Sequence, residues 1–202
     1  MGINDHKLSM VVRSADWKVP DDLYHYPNED YEAGPIALND TSEGLFYQNW
    51  HLTYDSGTGE LVVTPETEGL PQTIITVANV TQCTFAFDQN GHVSIAYTVG
   101  GAAFLYWFNT DAADWVTTAL EAGVINPTLC LDDKRTTQTN FSDILLLYTI
   151  ETDTDVFTLY CREQRDRFDP PYVLKVGTKK YIHKLGMHKE LRVQIGISNT
   201  VF

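Results

Sequence analysis

The densest charged string in this chain of 202 residues is Arg162-Glu163-Gln164-Arg165-Asp166-Arg167, which follows directly on the apolar run Leu159-Tyr160-Cys161. In an extended strand, alternation puts Tyr160, Arg162 and Gln164 on one face and Cys161, Glu163 and Arg165 on the other. A guanidinium is a planar fork suited to two-point pairing with a carboxylate or a phosphate. Three readings stand side by side: pairing with Asp132, Asp133 or equivalent acids between adjacent sheets, contact with another subunit, or capture of a phosphate or sugar. The abundance of carboxylates favours the first. Arg162, Arg165 and Arg167 are therefore candidate interface residues, together with Tyr160 and with Lys179, Lys180 and Lys184 further along.

Catalysis has little support. Asp132-Asp133, Asp153 with Asp155, and Asp21-Asp22 pair carboxylates as a glycosidase requires, but an acidic chain makes such pairs freely and Asp is common in turns. His183 and His188 lack the Glu and the spacing of a zinc-binding helix. Nucleophile-elbow, phosphate-loop and dinucleotide motifs do not occur. The expectation is a non-enzymatic protein with no cofactor and no metal.

The net charge of −13 conceals a segregation. Val19 to Asp133 contains no Lys or Arg against 17 carboxylates, whereas after Leu159 nine Lys and Arg face four carboxylates. The acidic block cannot supply the phosphate-neutralising cations that a DNA-gripping surface needs, so no specific nucleic-acid binding is expected. If the polarity survives folding, acidic and basic regions of separate copies attract, which favours a homo-oligomer with head-to-tail contacts. Packing of the basic tail on its own acidic body is the alternative.

Aromatic residues make up 12 % and periodic helical runs are scarce, which is a β composition. Cys83, Cys130 and Cys161 are odd in number, lack C-x-x-C spacing and sit in or beside apolar runs, so buried free thiols are expected. No stretch is apolar for long enough to span a membrane, and the polar start Met1-Gly2-Ile3-Asn4-Asp5-His6 is unlike a signal peptide. A soluble protein made in a reducing cytoplasm is expected.

Two stretches repeat one another. Thr84-Phe85-Ala86-Phe87-Asp88 is answered by Thr128-Leu129-Cys130-Leu131-Asp132, Val93–Thr98 by Ile144–Thr149, and Leu105-Tyr106-Trp107 by Leu159-Tyr160-Cys161. A repeated β-unit that cannot bury both faces alone must stack on its neighbour. The reading is an all-β, antiparallel fold of repeated units, either propeller-blade-like or a stacked-sheet sandwich. About three strands per unit and ten to twelve in all are expected, too few for one chain to close a propeller. A hairpin joins Leu45–Tyr54 to Glu60–Pro65, and Tyr181–Leu185 pairs with Leu191–Ile197 at the end. Residues 114–122 could make a short helix, although Val116-Thr117-Thr118 argues for a strand. Residues 1–43, with Pro20, Pro27, Pro35 and scattered aromatics, read as an extended N-terminal arm ahead of a β-repeat domain over 44–202.

From about Phe85 to Ile195 the chain resembles a group of tailed-bacteriophage virion proteins. The likeness is carried by Phe87-Asp88-Gln89-Asn90, Ala96-Tyr97, Leu105-Tyr106-Trp107, Leu131-Asp132-Asp133-Lys134-Arg135, Ser142–Tyr148, Leu159–Phe168, and Gly186-Met187 before Leu191-Arg192-Val193-Gln194. It departs at Cys161 and Glu163, where an aromatic residue and an amide are expected. What the resemblance implies is a structural part of the tail or adsorption apparatus, assembled in the bacterial host cytoplasm with copies of itself and other tail proteins. The alternative is a carbohydrate-binding β-module contacting a host surface glycan, with exposed Trp107, Trp115 or Tyr106 stacking on sugar rings.

Overall fold

A computed structural model describes residues 50–65, 70–88, 92–133, 142–187 and 193–199. The arm expected over 1–43, and Leu45 to Asn49 of the first expected strand, lie outside the described residues. The fold is all-β and antiparallel, as the composition requires.

Among the described residues, thirteen strands form four sheets in chain order. The first sheet comprises β1 (Trp50–Asp55), β2 (Glu60–Pro65) and β3 (Gln72–Thr76). The second is a meander of β4 (Val80–Phe87), β5 (Val93–Val99), β6 (Ala102–Asn109) and β7 (Asp114–Ala119). The third repeats it with β8 (Val124–Asp133), β9 (Ser142–Asp153), β10 (Val156–Glu163) and β11 (Tyr172–Gly177). The fourth pairs β12 (Tyr181–Met187) with β13 (Val193–Ser198). Residues 114–119 are a strand, since Val116, Thr117 and Thr118 are stiff at the first side-chain torsion and favour the pleat.

Three cores lie between consecutive sheets. Leu61 and Val63 of the first sheet meet Phe85, Phe87, Ile95 and Tyr97 of the second. The opposite face of the second sheet, Ala86, Ala96, Leu105 and Trp107, meets Leu129, Ile144, Leu146 and Tyr148 of the third. The far face of the third, Cys130, Leu145, Leu147, Leu159 and Cys161, meets Ile182 and Ile195 of the fourth. Among the described residues each sheet thus packs on the next in chain order. The opening strands of successive sheets approach closely, with Cα atoms of β4 within 8 Å of those of β8, and likewise β8 and β12. Alanines at Ala86 and Ala96 permit that approach.

The repeat is visible in the strand pairing. Thr84 pairs with Ala96 and Phe85 with Ile95 in the second sheet, as Thr128 pairs with Leu147 and Leu129 with Leu146 in the third. A cross-strand aromatic stack recurs too: Tyr97 on Phe104 at 5.5 Å and Tyr148 on Tyr160 at 5.6 Å. The third sequence match is corrected by two residues. Ala96 pairs with Leu105 and its counterpart Leu147 pairs with Cys161, so Cys161 rather than Leu159 is the equivalent of Leu105. Each unit has four strands rather than three, the additions being β7 and β11.

Irregularities shape the layer junctions. Asn126 adopts φ 49° at a bulge in β8, and its side-chain carbonyl oxygen accepts the Ile182 N–H at 2.6 Å, which ties the third sheet to the fourth. Pro127 is tolerated beside it because β8 bonds only β9 and has a free edge in its sheet. Gly59 has φ 77° in the β1–β2 turn, and a Cβ there would lie 3.2 Å from the Val77 carbonyl oxygen.

Candidate functional site

The charged string after β10 folds into a tight reversal. Gln164–Asp166 form one 3-10 turn, and Arg167 and Phe168 both take left-handed backbone at φ 58°. Two consecutive residues there, neither of them glycine, are costly, and surrounding structure must hold them. The Phe168 N–H donates to the Glu163 carbonyl at 2.9 Å, and the Phe168 ring is 1 % exposed, edge-on to Trp107 at 5.2 Å. The reversal therefore plugs the core between the second and third sheets.

Arg162 is buried beneath that plug. Its Nε donates to the Tyr148 hydroxyl at 3.0 Å, one terminal nitrogen to the Phe168 carbonyl at 2.5 Å, and the other to Glu121 Oε1 at 2.5 Å. The Tyr148 hydroxyl donates in turn to Glu121 Oε2 at 2.8 Å. Glu121 lies in the connector between β7 and β8, so the triangle fastens the link between two sheets. Burial works to raise the Glu121 carboxyl, but bonds from its own backbone N–H, Tyr148 and Arg162 outweigh it and hold the group below its ordinary value. Burial pushes the Tyr148 phenol up, with Glu121 adding to that and Arg162 opposing it.

The other arginines are engaged as well. Arg165 Nε lies 2.8 Å from Glu163 Oε2, and the buried Glu163 also accepts the Tyr172 hydroxyl at 2.5 Å. Arg167 pairs with Asp111 in the β6–β7 turn of the neighbouring sheet. The partners include Glu121, Glu163 and Asp111, with Asp169 3.6 Å from Arg162; the side chains of Asp132 and Asp133 lie outside the described residues. An open hollow of about 340 Å³ lies over Arg165, Asp166, Arg167, Asp169 and Pro170. Gln164 reaches Asp88 of the second sheet at 3.2 Å, a further tie across the layers.

The lysines stand elsewhere. Lys179 is exposed, and Lys180 places its ammonium 4.9 Å from the Tyr181 ring centre while its carbonyl accepts the Thr149 hydroxyl at 2.5 Å. Lys184 is in β12, opposite Ile195. The third sheet separates these lysines from the Arg162–Glu121 clamp, so the candidate interface residues do not form one site.

Trp107 requires a correction. It is 5 % exposed, packs in the core between the second and third sheets, and donates its indole N–H to Thr118 Oγ1 at 3.1 Å. It cannot stack on an external sugar. Tyr160 is half-buried on Tyr148. The sequence reading missed Glu121 and Phe168; Tyr148 was signalled by its match to Tyr97, and Asp88 by its match to Asp132. Cys130 and Cys161 are buried and Cys83 partly so, all free of disulfides. Among the described residues no three His, Cys, Asp or Glu are grouped to hold a metal, and no helix is long and apolar enough to cross a membrane. His188 and the His183 side chain lie outside the described residues.

Comparison with family models, curated proteins and solved structures gives no match.

Proposed function

We propose that this protein is a non-enzymatic structural component of a tailed-bacteriophage virion, in the tail or adsorption apparatus, assembling with copies of itself and with other tail proteins. The observation that carries this reading is the difference in charge between the first and last sheets. The first sheet belongs to the long stretch without Lys or Arg and carries Asp55 and Glu60; the fourth is approached through Lys179 and Lys180 and contains Lys184. These sheets are the first and last in the order of packing, so part of the charge segregation is kept apart in space, while Arg162 and Arg167 pair with Glu121 and Asp111 of the acidic block itself. A difference in charge between the first and last sheets favours head-to-tail association.

The residues behind the virion resemblance support the same reading in another way. Arg162, Phe168, Asp88 and Gln164 act as ties between layers, so the likeness rests on framework positions. The outward face of the first sheet is built from Thr53, Glu60, Val62, Thr64 and Thr73, with Glu60 accepting from Thr58 and Thr73. Contact made there is hydrogen-bonded and electrostatic, and therefore salt-sensitive. Sedimentation of the full chain across a salt series tests the assembly. Association that weakens as salt rises supports it; a monomer at every salt concentration, alone and with virion neighbours, contradicts it.

A further inference from the structure

The repeat gives each strand a place in its sheet, and the last sheet fills only two of them. The opening strands β4, β8 and β12 stand beside one another, so β5, β9 and β13 are the second strands of their sheets. β5 is hydrogen-bonded on both sides, to β4 and β6, and β9 likewise to β8 and β10. Among the described residues β13 is bonded to β12 alone. Burial follows the pairing: residues 93–98 of β5 and 144–149 of β9 are buried throughout, whereas Gly196 and Ile197, next to the buried Ile195, are half-buried. An edge of this kind presents a row of backbone N–H and C=O groups on which an extended segment can add a strand.

We propose that β13 takes its third strand from residues 31–43 of a second copy, with Ile36-Ala37-Leu38 laid along it as β6 lies along β5. Main-chain bonds give such an addition its affinity, and alternate side chains set its register. Ile36 and Leu38 are two residues apart, so they share a face and extend the apolar side that Ile195 and Ile197 turn toward the third sheet. Charge selects the segment. Residues 31–43 hold Glu32, Asp40 and Glu43 and no Lys or Arg, while residues 178–187 hold Lys179, Lys180 and Lys184 and no carboxylate. The Lys180 N–H donates to the Ser198 carbonyl at 3.0 Å, which sets Lys180 and the exposed Lys179 at the end of β13. Reach selects the copy. Leu38 stands twelve residues ahead of Trp50, a span of at most about 40 Å, and the second and third sheets lie between the first sheet and its own fourth. Across a head-to-tail contact the neighbour's fourth sheet adjoins the first directly. This strand exchange rests on the proposed head-to-tail assembly and supplies its contact.

The test follows the full-length protein from dilute solution to the concentrations at which it associates, with sedimentation and hydrogen–deuterium exchange read on the same samples. The expected result is that the amides of Ile195, Gly196 and Ile197 exchange markedly more slowly in the assembly than in the monomer. Ala37→Pro, which removes a ladder donor, should weaken association about tenfold and abolish that protection at unchanged β-sheet circular dichroism. A synthetic peptide of residues 31–43 in excess should break up the assembly and protect the same amides. Assemblies whose β13 amides exchange as they do in the monomer, or that Ala37→Pro leaves intact, would overturn the strand addition while the assembly itself stands. Full protection already present in the dilute monomer would overturn the second copy as the source of the strand. A monomer at every protein and salt concentration would remove the assembly, and the strand addition with it.

Discussion

The Arg162 guanidinium donates to the Tyr148 hydroxyl at 3.0 Å between neighbouring strands of the third sheet, and both groups converge on Glu121 in the connector from the second. One cation, one phenol and one carboxylate thus close a ring of hydrogen bonds at the layer junction. Removing Glu121 leaves the buried Arg162 and Tyr148 without that partner, and removing either of those leaves the half-buried Glu121 one bond short.

Arg162→Met should therefore destabilise by about 1.5–3 kcal/mol, the cost of losing hydrogen bonds to a charged group, since Glu121 is partly exposed and water replaces some of what it loses. Tyr148→Phe should cost about 1.5–3 kcal/mol, since it removes bonds to charged groups but keeps the ring in place. Urea unfolding at neutral pH measures both. Equal and negligible losses would mean that the ring of bonds does not hold the connector.

Acid should loosen the same clamp. The folded state holds the Glu121 carboxyl below its ordinary value of 4.5, so its contribution is present above that value and is lost as pH falls through the lower, folded one. Urea midpoints between about pH 3 and pH 6 should fall less steeply toward acid in Glu121→Gln than in the parent chain. Parallel slopes would place the acid sensitivity elsewhere.

The repeat makes a reciprocal prediction about packing. Ala96 and Leu147 occupy equivalent positions, but Ala96 faces the close junction of the second and third sheets, whereas Leu147 faces the fourth. Ala96→Leu should overpack its site at about 1–3 kcal/mol. Leu147→Ala should leave a cavity at about 2–5 kcal/mol. Chemical denaturation of the two variants checks the pair, and a stabilising Ala96→Leu would contradict the close approach of β4 and β8.

Charge reversal addresses the last sheet. Changing Lys179, Lys180 and Lys184 to Glu should slow and weaken association while leaving the β-sheet circular dichroism intact. Exposed pairs contribute only about 0–1 kcal/mol each, so charge governs orientation and on-rate more than final affinity. Association kinetics by light scattering would show the difference, and unchanged rates would remove the lysines from the contact.

Much of this architecture was legible because apolar residues in strands alternate with period two, and the same order of apolar and turn segments occurs twice. The same periodicity hid the slip in the third match: sliding Leu159 onto the place of Cys161 moves the strand by two residues and keeps every side chain on its face. The strand β11 escaped notice because Pro170-Pro171 precede it and a register shift breaks its alternation, leaving Val173 and Val176 both exposed. Burial of Trp107 was not legible, since a strand pattern shows that two faces differ but not that both are covered. Glu121 had no local signal; its role comes from a partner 41 residues away.

The most direct test of the central claim is to image purified particles produced from the genome that encodes this chain, with an antibody label on the protein. The proposed function predicts label at a fixed position on the tail or its adsorption apparatus. Particles that are complete and infectious but carry no label, with the protein recovered only from the soluble lysate, would contradict it.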